Sequence, residues 1–275
     1  MTLDISPTFT WNETVWNPLM LGPALWLDAA DASTITLNGS TVSQWSDKSG
    51  NSRHVIQATA GAQPLYSANQ IGGLPALSFD GGDFLRTALS FPLGLQFSAF
   101  GVVKPEAGTG WNNNDYGYVF AHGSLSSSTK GAALVIGSES FADWFVRDTI
   151  AFGDGYNSGR MPRAIGPVST GTDARVFSLS LGTTESFMAV NGTLTSTRVS
   201  GTGTRTNLIA PLTLGANANA SANQWLTGKI AEFLVVSNTV SLSNRQKLEG
   251  YLTHKWGLDA SLPADHPYKN YGPRP

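Results

Sequence analysis

Apolar positions in this chain recur with a period of two in short bursts, and each burst is cut short by Gly, Asn, Asp or Pro. FSAFGVVKP (residues 97–105) alternates apolar and small residues and stops at Pro, and YGYVFAHG, GAALVIGS and FADWFVRD follow at short intervals. ARVFSLSLGTTESFMAVNGTLT (residues 174–195) reads as two antiparallel strands with a tight turn at Asn191 and Gly192. Upstream, PALWLDAAD (residues 23–31) is a strand running into a turn, and TVSQWSDKSGN (residues 41–51) is a strand ending at Asp-Lys-Ser-Gly. LPALSFDGGDFL (residues 74–85) pairs two strand-like pieces about Asp80, Gly81, Gly82 and Asp83. The last long strand is expected at residues 229–236. Strands in this succession, with no helices between them, predict an all-β chain folded as an antiparallel β-sandwich or jelly roll.

SLSNRQKLEGYLTHKWGL (residues 241–258) breaks the pattern. Leu248, Tyr251, Leu252 and Trp256 fall on one face at helical spacing. Ser243 with Gln246 three residues on forms a capping box, Gly257 is a stop, and Pro263 prevents resumption. The expectation is one C-terminal helix over residues 242–256 that closes the sandwich. Residues 1–20 lack periodicity and read as an extended arm. Trp11 and Trp16 in it are candidate anchors for docking to a partner, or else pack along their own domain. The domain is placed at residues 21–268, and a Pro-rich tail, ending in residues 269–275, is expected to run extended over the surface.

Composition narrows the function classes. Charged residues make up 13% of the chain, about half the usual share, so the many Gly, Ser, Thr and Asn residues must make the surface polar. The net charge is −2 and the cations are scattered singly, whereas binding nucleic acid by counterion release needs them clustered. No apolar run approaches the length that spans a bilayer. With no Cys there is no disulfide, thiolate nucleophile or Cys-ligated metal. The N-terminus has neither the basic start nor the apolar run of a signal peptide, which predicts assembly in a cytoplasm.

Four stretches occur in a telling order: ALWLDAAD, QWSDKSGNSRH, GGLPALSFDGGDFL, and KIAEFLVVSNTVSLSNRQKLEGYLTHKWGL followed by LPADHPY. Together they resemble the LamG-like (concanavalin A-like lectin/glucanase) jelly-roll domains of bacterial and phage proteins, and the last stretch is similar to versions in phage virion proteins. The resemblance covers roughly residues 21–268. It implies a sandwich fold, and a fold that hosts lectins, glycosidases and structural parts alike.

Glycosidases on such a sandwich carry Glu-x-Asp-x-x-Glu, because alternate residues of one strand face one groove. No Glu-x-Asp or Asp-x-Glu occurs here; ESFAD has the wrong spacing, and Glu232 stands alone in AEFLVV. His54, His122, His254 and His266 form no metal-ligand spacing, and no nucleophile elbow or phosphate loop appears. His254 near the helix C-terminus reads as a structural residue. These absences predict a protein that is not an enzyme. LamG-like domains often bind one calcium, so the resemblance leaves that ion open, with no other cofactor expected. Oxygens for it occur in DAAD (Asp28, Asp31), SDKSGN (Asp47, Asn51), DGGD (Asp80, Asp83) and WNNND (Asn112 to Asp115). The same residues also make turns without any ion. Asp80, Asp83 and Asp115 are the candidates if calcium binds. For glycans, GWNNNDYGY (residues 110–118) sets Trp111 and Tyr116 to stack on sugar faces and Asn112, Asn113 and Asn114 to bond hydroxyls, although aromatics in jelly rolls are mostly core. The other tryptophans, Trp26, Trp45, Trp144, Trp225 and Trp256, are expected in the core.

The expectation is therefore a non-enzymatic virion structural protein of a phage, a surface-exposed capsid decoration or fibre-associated component. Its partners would be capsid or tail proteins and further copies of itself as a homo-oligomer, with host glycans as possible contacts. The alternative is a carbohydrate-binding module or receptor-binding adhesin recognising host surface glycans. A glycan hydrolase with dispersed acids ranks last.

Overall fold

The structure, a computed structural model, describes residues 16–106, 116–125, 130–137, 149–153, 173–182, 185–199, 209–220 and 225–274. Its first strands are β1 (Leu25–Asp28), β2 (Ile35–Asn38), β3 (Thr41–Trp45), β4 (Val55–Ile56), β5 (Leu65–Ile71), β6 (Leu74–Asp80), β7 (Leu85–Thr87) and β8 (Phe91–Pro92). The long middle strands are β9 (Phe97–Pro105), β10 (Tyr116–Leu125), β11 (Lys130–Gly137) and β12 (Thr149–Gly153). Then come β13 (Arg175–Leu181), β14 (Glu185–Val190), β15 (Thr193–Val199), β16 (Ile209–Ala210), β17 (Leu212–Leu214) and β18 (Thr227–Val236), followed by the helix α1 (Leu242–Lys255). All the pairings are antiparallel.

Two layers follow from the pairing order. One runs β5-β6-β18-β9-β13-β14-β15, with β1 also on β18; the other runs β12-β11-β10-β17-β7-β4-β3, with β2 on β3. Among the described residues a single pair, Thr41 with Leu65, joins them through β3 and β5. The layers meet through rings such as Phe120 of β10 and Phe233 of β18, whose centroids lie 5.2 Å apart. Within the first layer Phe177, Gly101 and Phe233 stand side by side across β13, β9 and β18. The Phe177 ring lies over Gly101, where a Cβ would come within 2.7 Å of it, so only glycine lets the two rings share that row.

The outer face of the first layer is not left to solvent. β13 is buried at every position, although Ser178 and Ser180 alternate with Phe177 and Leu179. The apolar residues face the other layer; Ser178 meets Glu249 of α1, and Ser180 meets Ser98, which bonds the chain leading into α1. Leu248, Leu252 and Trp256 are fully buried beneath α1, as their spacing predicts. The cap differs from the expected Ser243: Ser241 is the N-cap, with an extended backbone and Oγ accepting the Asn244 N–H at 3.3 Å. The Val240 N–H donates to Ser98 Oγ, which pins the chain extended up to Ser241 and lets the helix begin at Leu242. Gly257, at φ +66°, ends the helix as expected.

Two further expectations are corrected. The strands flanking DGGD do not pair with each other: β6 bonds β5 and β18, while β7 bonds β4 and β17. The turn passes the chain from one layer to the other, with Gly81 at φ +95° and Asp80 Oδ1 accepting the Gly82 N–H. The tail is folded rather than extended. It makes a 3-10 turn at Asp259–Ser261, buries His266, and is clasped by Lys269, whose Nζ donates to the carbonyls of Asp259, Ala260 and Leu262.

Candidate functional site

The densest polar chemistry lies between α1 and the sheet. β1 pairs with β18 so that Asp28 sits beside Glu232, and a bulge at Ala231 turns Glu232 toward the helix. Glu232 is fully buried. Its Oε1 accepts from Trp26 Nε1 at 2.7 Å and from the Tyr251 hydroxyl at 3.0 Å; its Oε2 accepts from Trp256 Nε1 at 2.7 Å and Lys255 Nζ at 2.6 Å. Lys255 also reaches Asp28 Oδ1, and Lys48 bridges Asp28 Oδ2 and Asp31 while lying 4.6 Å above the Trp26 ring. The Lys48 ammonium holds Asp31 below the usual carboxylate range, with help from Ser33. Burial works against Lys48 itself, yet the two aspartates keep its pKa above the ordinary lysine value. Burial pushes the Glu232 carboxyl up, against the pull of Lys255, and burial with the charges of Glu232 and Asp28 raises the Tyr251 phenol. Every oxygen of Asp28 and Glu232 thus meets a donor, so this pair of acids binds helix to sheet and leaves no lone pair facing a substrate.

A second buried cluster contains the residue types of a nucleophile relay in an order that cannot work as one. The Ser178 hydroxyl donates to Glu249 Oε1 at 2.5 Å, and His266 Nε2 lies 3.2 Å from Glu249 Oε2. The Tyr268 N–H donates to His266 Nδ1, so Nε2 carries the proton and gives it to Glu249. A relay needs the imidazole between hydroxyl and acid; here the acid is in the middle. The other histidines are also structural: His254 Nε2 meets Tyr268 O, His122 Nε2 meets Phe91 O, and His54 Nδ1 accepts the Asp47 N–H.

A half-exposed aromatic cluster lies at one end of the sandwich. Register places Asp80 opposite Thr227 and Pro105 opposite Gly228, and Gly117 packs on the backbone of Leu226. Both ends of the segment carrying the WNNND stretch, Glu106 and Tyr116, are therefore brought to the rim that holds the DGGD turn. On this rim Phe84, Arg86 and Trp225 are half-buried. Phe84 and Trp225 lie 5.7 Å apart at 58°, and the Arg86 guanidinium sits 5.4 Å from the Phe84 ring. Beneath them Asp83 is buried and its Oδ2 accepts the Asp80 N–H. Burial raises the Asp83 carboxyl to about 6; the Asp80 N–H opposes that rise, and the Asp80 carboxylate beside it adds to it.

Of the residues singled out from the sequence, Trp11, Trp111, Asn112, Asn113, Asn114 and Asp115 lie outside the described residues. Tyr116 opens β10, opposite Gly137. Trp16 is buried at 2% exposure, edge-on to Tyr251 at 5.9 Å, so it packs along its own domain and has no face to offer a partner. Asp80 and Asp83 form the turn described above. Asp28 and Asp31 meet lysines, Asp47 accepts the Trp26 and Arg53 N–H groups, and Asn51 Nδ2 donates to Pro23 O. Among the described residues no group of three or more His, Asp or Glu side chains is placed to hold a metal. Trp225, expected in the core, stands instead at the rim, because it pairs with Ala216 only as an isolated bridge beyond the strands. Phe84 and Arg86 were missed; their signal was the alternation with buried Leu85 and Thr87 directly after DGGD.

No family model matches the chain, and no curated protein does. Solved structures do. Domain 4 of an extracellular arabinanase from Geobacillus stearothermophilus, solved with arabinotriose, matches with a TM-score of 0.55 and 15% identity, over 82% of this chain and 98% of that one. The receptor-binding domain of botulinum neurotoxin D matches with a TM-score of 0.56 and 12% identity, over 82% of this chain and 52% of that one. The binding domain of Paraclostridial Mosquitocidal Protein 1 gives 0.52 and 10%, over 78% and 51%. This chain thus spans nearly all of the first and about half of the other two. What the four chains share is the antiparallel β-sandwich.

Proposed function

We propose that the chain is a non-enzymatic binding component of a phage particle, surface-exposed on capsid or fibre, whose loop rim contacts glycans. One observation carries this reading: the buried acids are engaged in holding helix to sheet, while the half-exposed aromatic rings stand together on the loop rim. Stacked aromatics beside polar groups are what sugar faces require, and a carboxylate pair with every oxygen occupied is unsuited to hydrolysis. The arabinanase domain solved with arabinotriose has the same fold over nearly its whole length, which supports a sandwich of this kind acting as a carbohydrate contact. The particle assignment is supported by the ordered motifs similar to those of phage virion proteins.

Mass spectrometry of purified particles tests the assignment: the chain is expected at a copy number related to the symmetry of capsid or tail, and its absence from particles would sink the virion role. A glycan array tests the contact separately, with binding expected from the intact chain and weakened in Trp225→Ala. Release of reducing ends from polysaccharide by the purified chain would overturn the non-enzymatic reading.

A further inference from the structure

Arg86 is a rim residue whose described surroundings leave part of its guanidinium without a partner. Its Nε donates to Thr213 Oγ1 at 3.0 Å and one terminal nitrogen donates to Ala218 O at 2.6 Å. Among the described residues its remaining N–H groups meet no acceptor, and no carboxylate lies within ion-pair distance. Lys48, Lys255 and Arg245, by contrast, all reach acids. The nearby acids are turned to other work: Asp83 accepts the Asp80 N–H and Asp80 accepts the Gly82 N–H. Burial lowers the Arg86 pKa with no neighbouring charge to restore it.

A guanidinium in this state is a held, partly dehydrated cation with a planar fork to spare. The two bonds to Thr213 and Ala218 fix its direction, so little rotamer freedom is left to lose on binding. Phe84 lies beneath it and Trp225 next to Phe84, an apolar platform adjoining the charge. Exposed Asn219 adds an amide on the loop whose Ala218 carbonyl Arg86 grips.

Resting on the glycan reading above, we infer that this cluster takes a sugar bearing a carboxylate, its ring against Phe84 and Trp225 and its acid on the free fork of Arg86. A neutral sugar would use the platform and leave the guanidinium unpaired. Uronic and sialic acids share the required group.

The experiment titrates the full chain, followed by tryptophan fluorescence, with trigalacturonic acid and with 3′-sialyllactose, each beside its methyl ester. Esterification removes the charge and keeps the shape. At least one acid is expected to bind about tenfold or more tightly than its ester, the scale of one hydrogen bond to a charged group, and which acid does so identifies the source. That preference should weaken with added NaCl. Arg86→Gln should abolish the preference and leave ester binding in place, Arg86→Lys should retain part of it, and Trp225→Ala should weaken acid and ester together. Should Arg86→Gln lose its fold by circular dichroism, the wild-type ratio of acid to ester decides alone. Equal binding of acid and ester overturns this inference and leaves the glycan reading standing; no binding of any saccharide overturns both.

Discussion

Glu232 accepts from two indoles, a phenol and an ammonium, each supplied by a different part of the chain or helix. Replacing it by Ala leaves both indoles and the Tyr251 hydroxyl without an acceptor while Lys255 keeps Asp28, and the expected loss is about 3–5 kcal/mol, read as the shift of the urea midpoint at pH 7; a loss under about 1 kcal/mol would mean that water takes over the site. Asp83 gives a prediction of the opposite sign. Its carboxyl titrates near 6 in the fold, against an ordinary 3.8. Between those values the folded chain holds a proton that the unfolded chain releases, so stability falls as pH rises from about 4 to about 6. Asp83→Asn mimics the protonated acid and keeps an oxygen for the Asp80 N–H. It should be more stable than wild type at pH 7.5 and lose that advantage near pH 4, as measured by denaturant midpoints across the range.

At the scale of elements, α1 is held by fit as much as by pattern. Gly250 faces the tail, and a Cβ there would lie 2.5 Å from Tyr268 Cβ. In an exposed helix Gly→Ala gains about 1 kcal/mol; here Gly250→Ala should lower the melting temperature and speed tryptic cleavage after Lys269, as the tail is pushed off. An unchanged or raised melting temperature with an intact tail would refute the close approach. The elements themselves were largely readable. FSAFGVVKP is β9 to the residue, and Asn191 and Gly192, both at positive φ, join β14 to β15. Errors arose where a local motif competed with a distant contact. Ser243 has a capping partner in sequence, but Ser98 decides where the backbone leaves its extended path. DGGD reads as a hairpin, but its two strands find better partners in separate layers.

The whole molecule has two unlike ends. Asp80, Pro105 and Thr227 mark the rim with the aromatic cluster, while Ser98, Val236 and Leu25 mark the other, where the chain enters past Trp16. Trp16 seals the entry against Tyr251, so the described fold is closed from Trp16 onward. Deleting residues 1–15 should therefore leave the melting temperature and glycan binding intact while abolishing attachment to particles, checked by cosedimentation; retained attachment would move docking onto the domain itself. The site was less legible than the fold. Alternation reveals which residues face outward, but the partner at Arg86 is Thr213, 127 residues away in sequence. The stretches that carried the family likeness, LDAAD, SDKSGN, AEF, HKWGL and ADHPY, turn out to supply Asp28, Lys48, Glu232, Lys255, Trp256 and His266. They are the fastenings beneath the helix, which explains why they announce a fold and say little about a ligand. Those fastenings also set a timetable for synthesis. Trp26 and Glu232 are 206 residues apart, and Asp28 and Lys255 are 227 apart. While a ribosome still holds the last helix, β1 has no strand to lie against and Asp28 lacks one of its two lysines. The sandwich can close only once α1 has emerged, so a message cut short before Lys255 yields no smaller working sandwich.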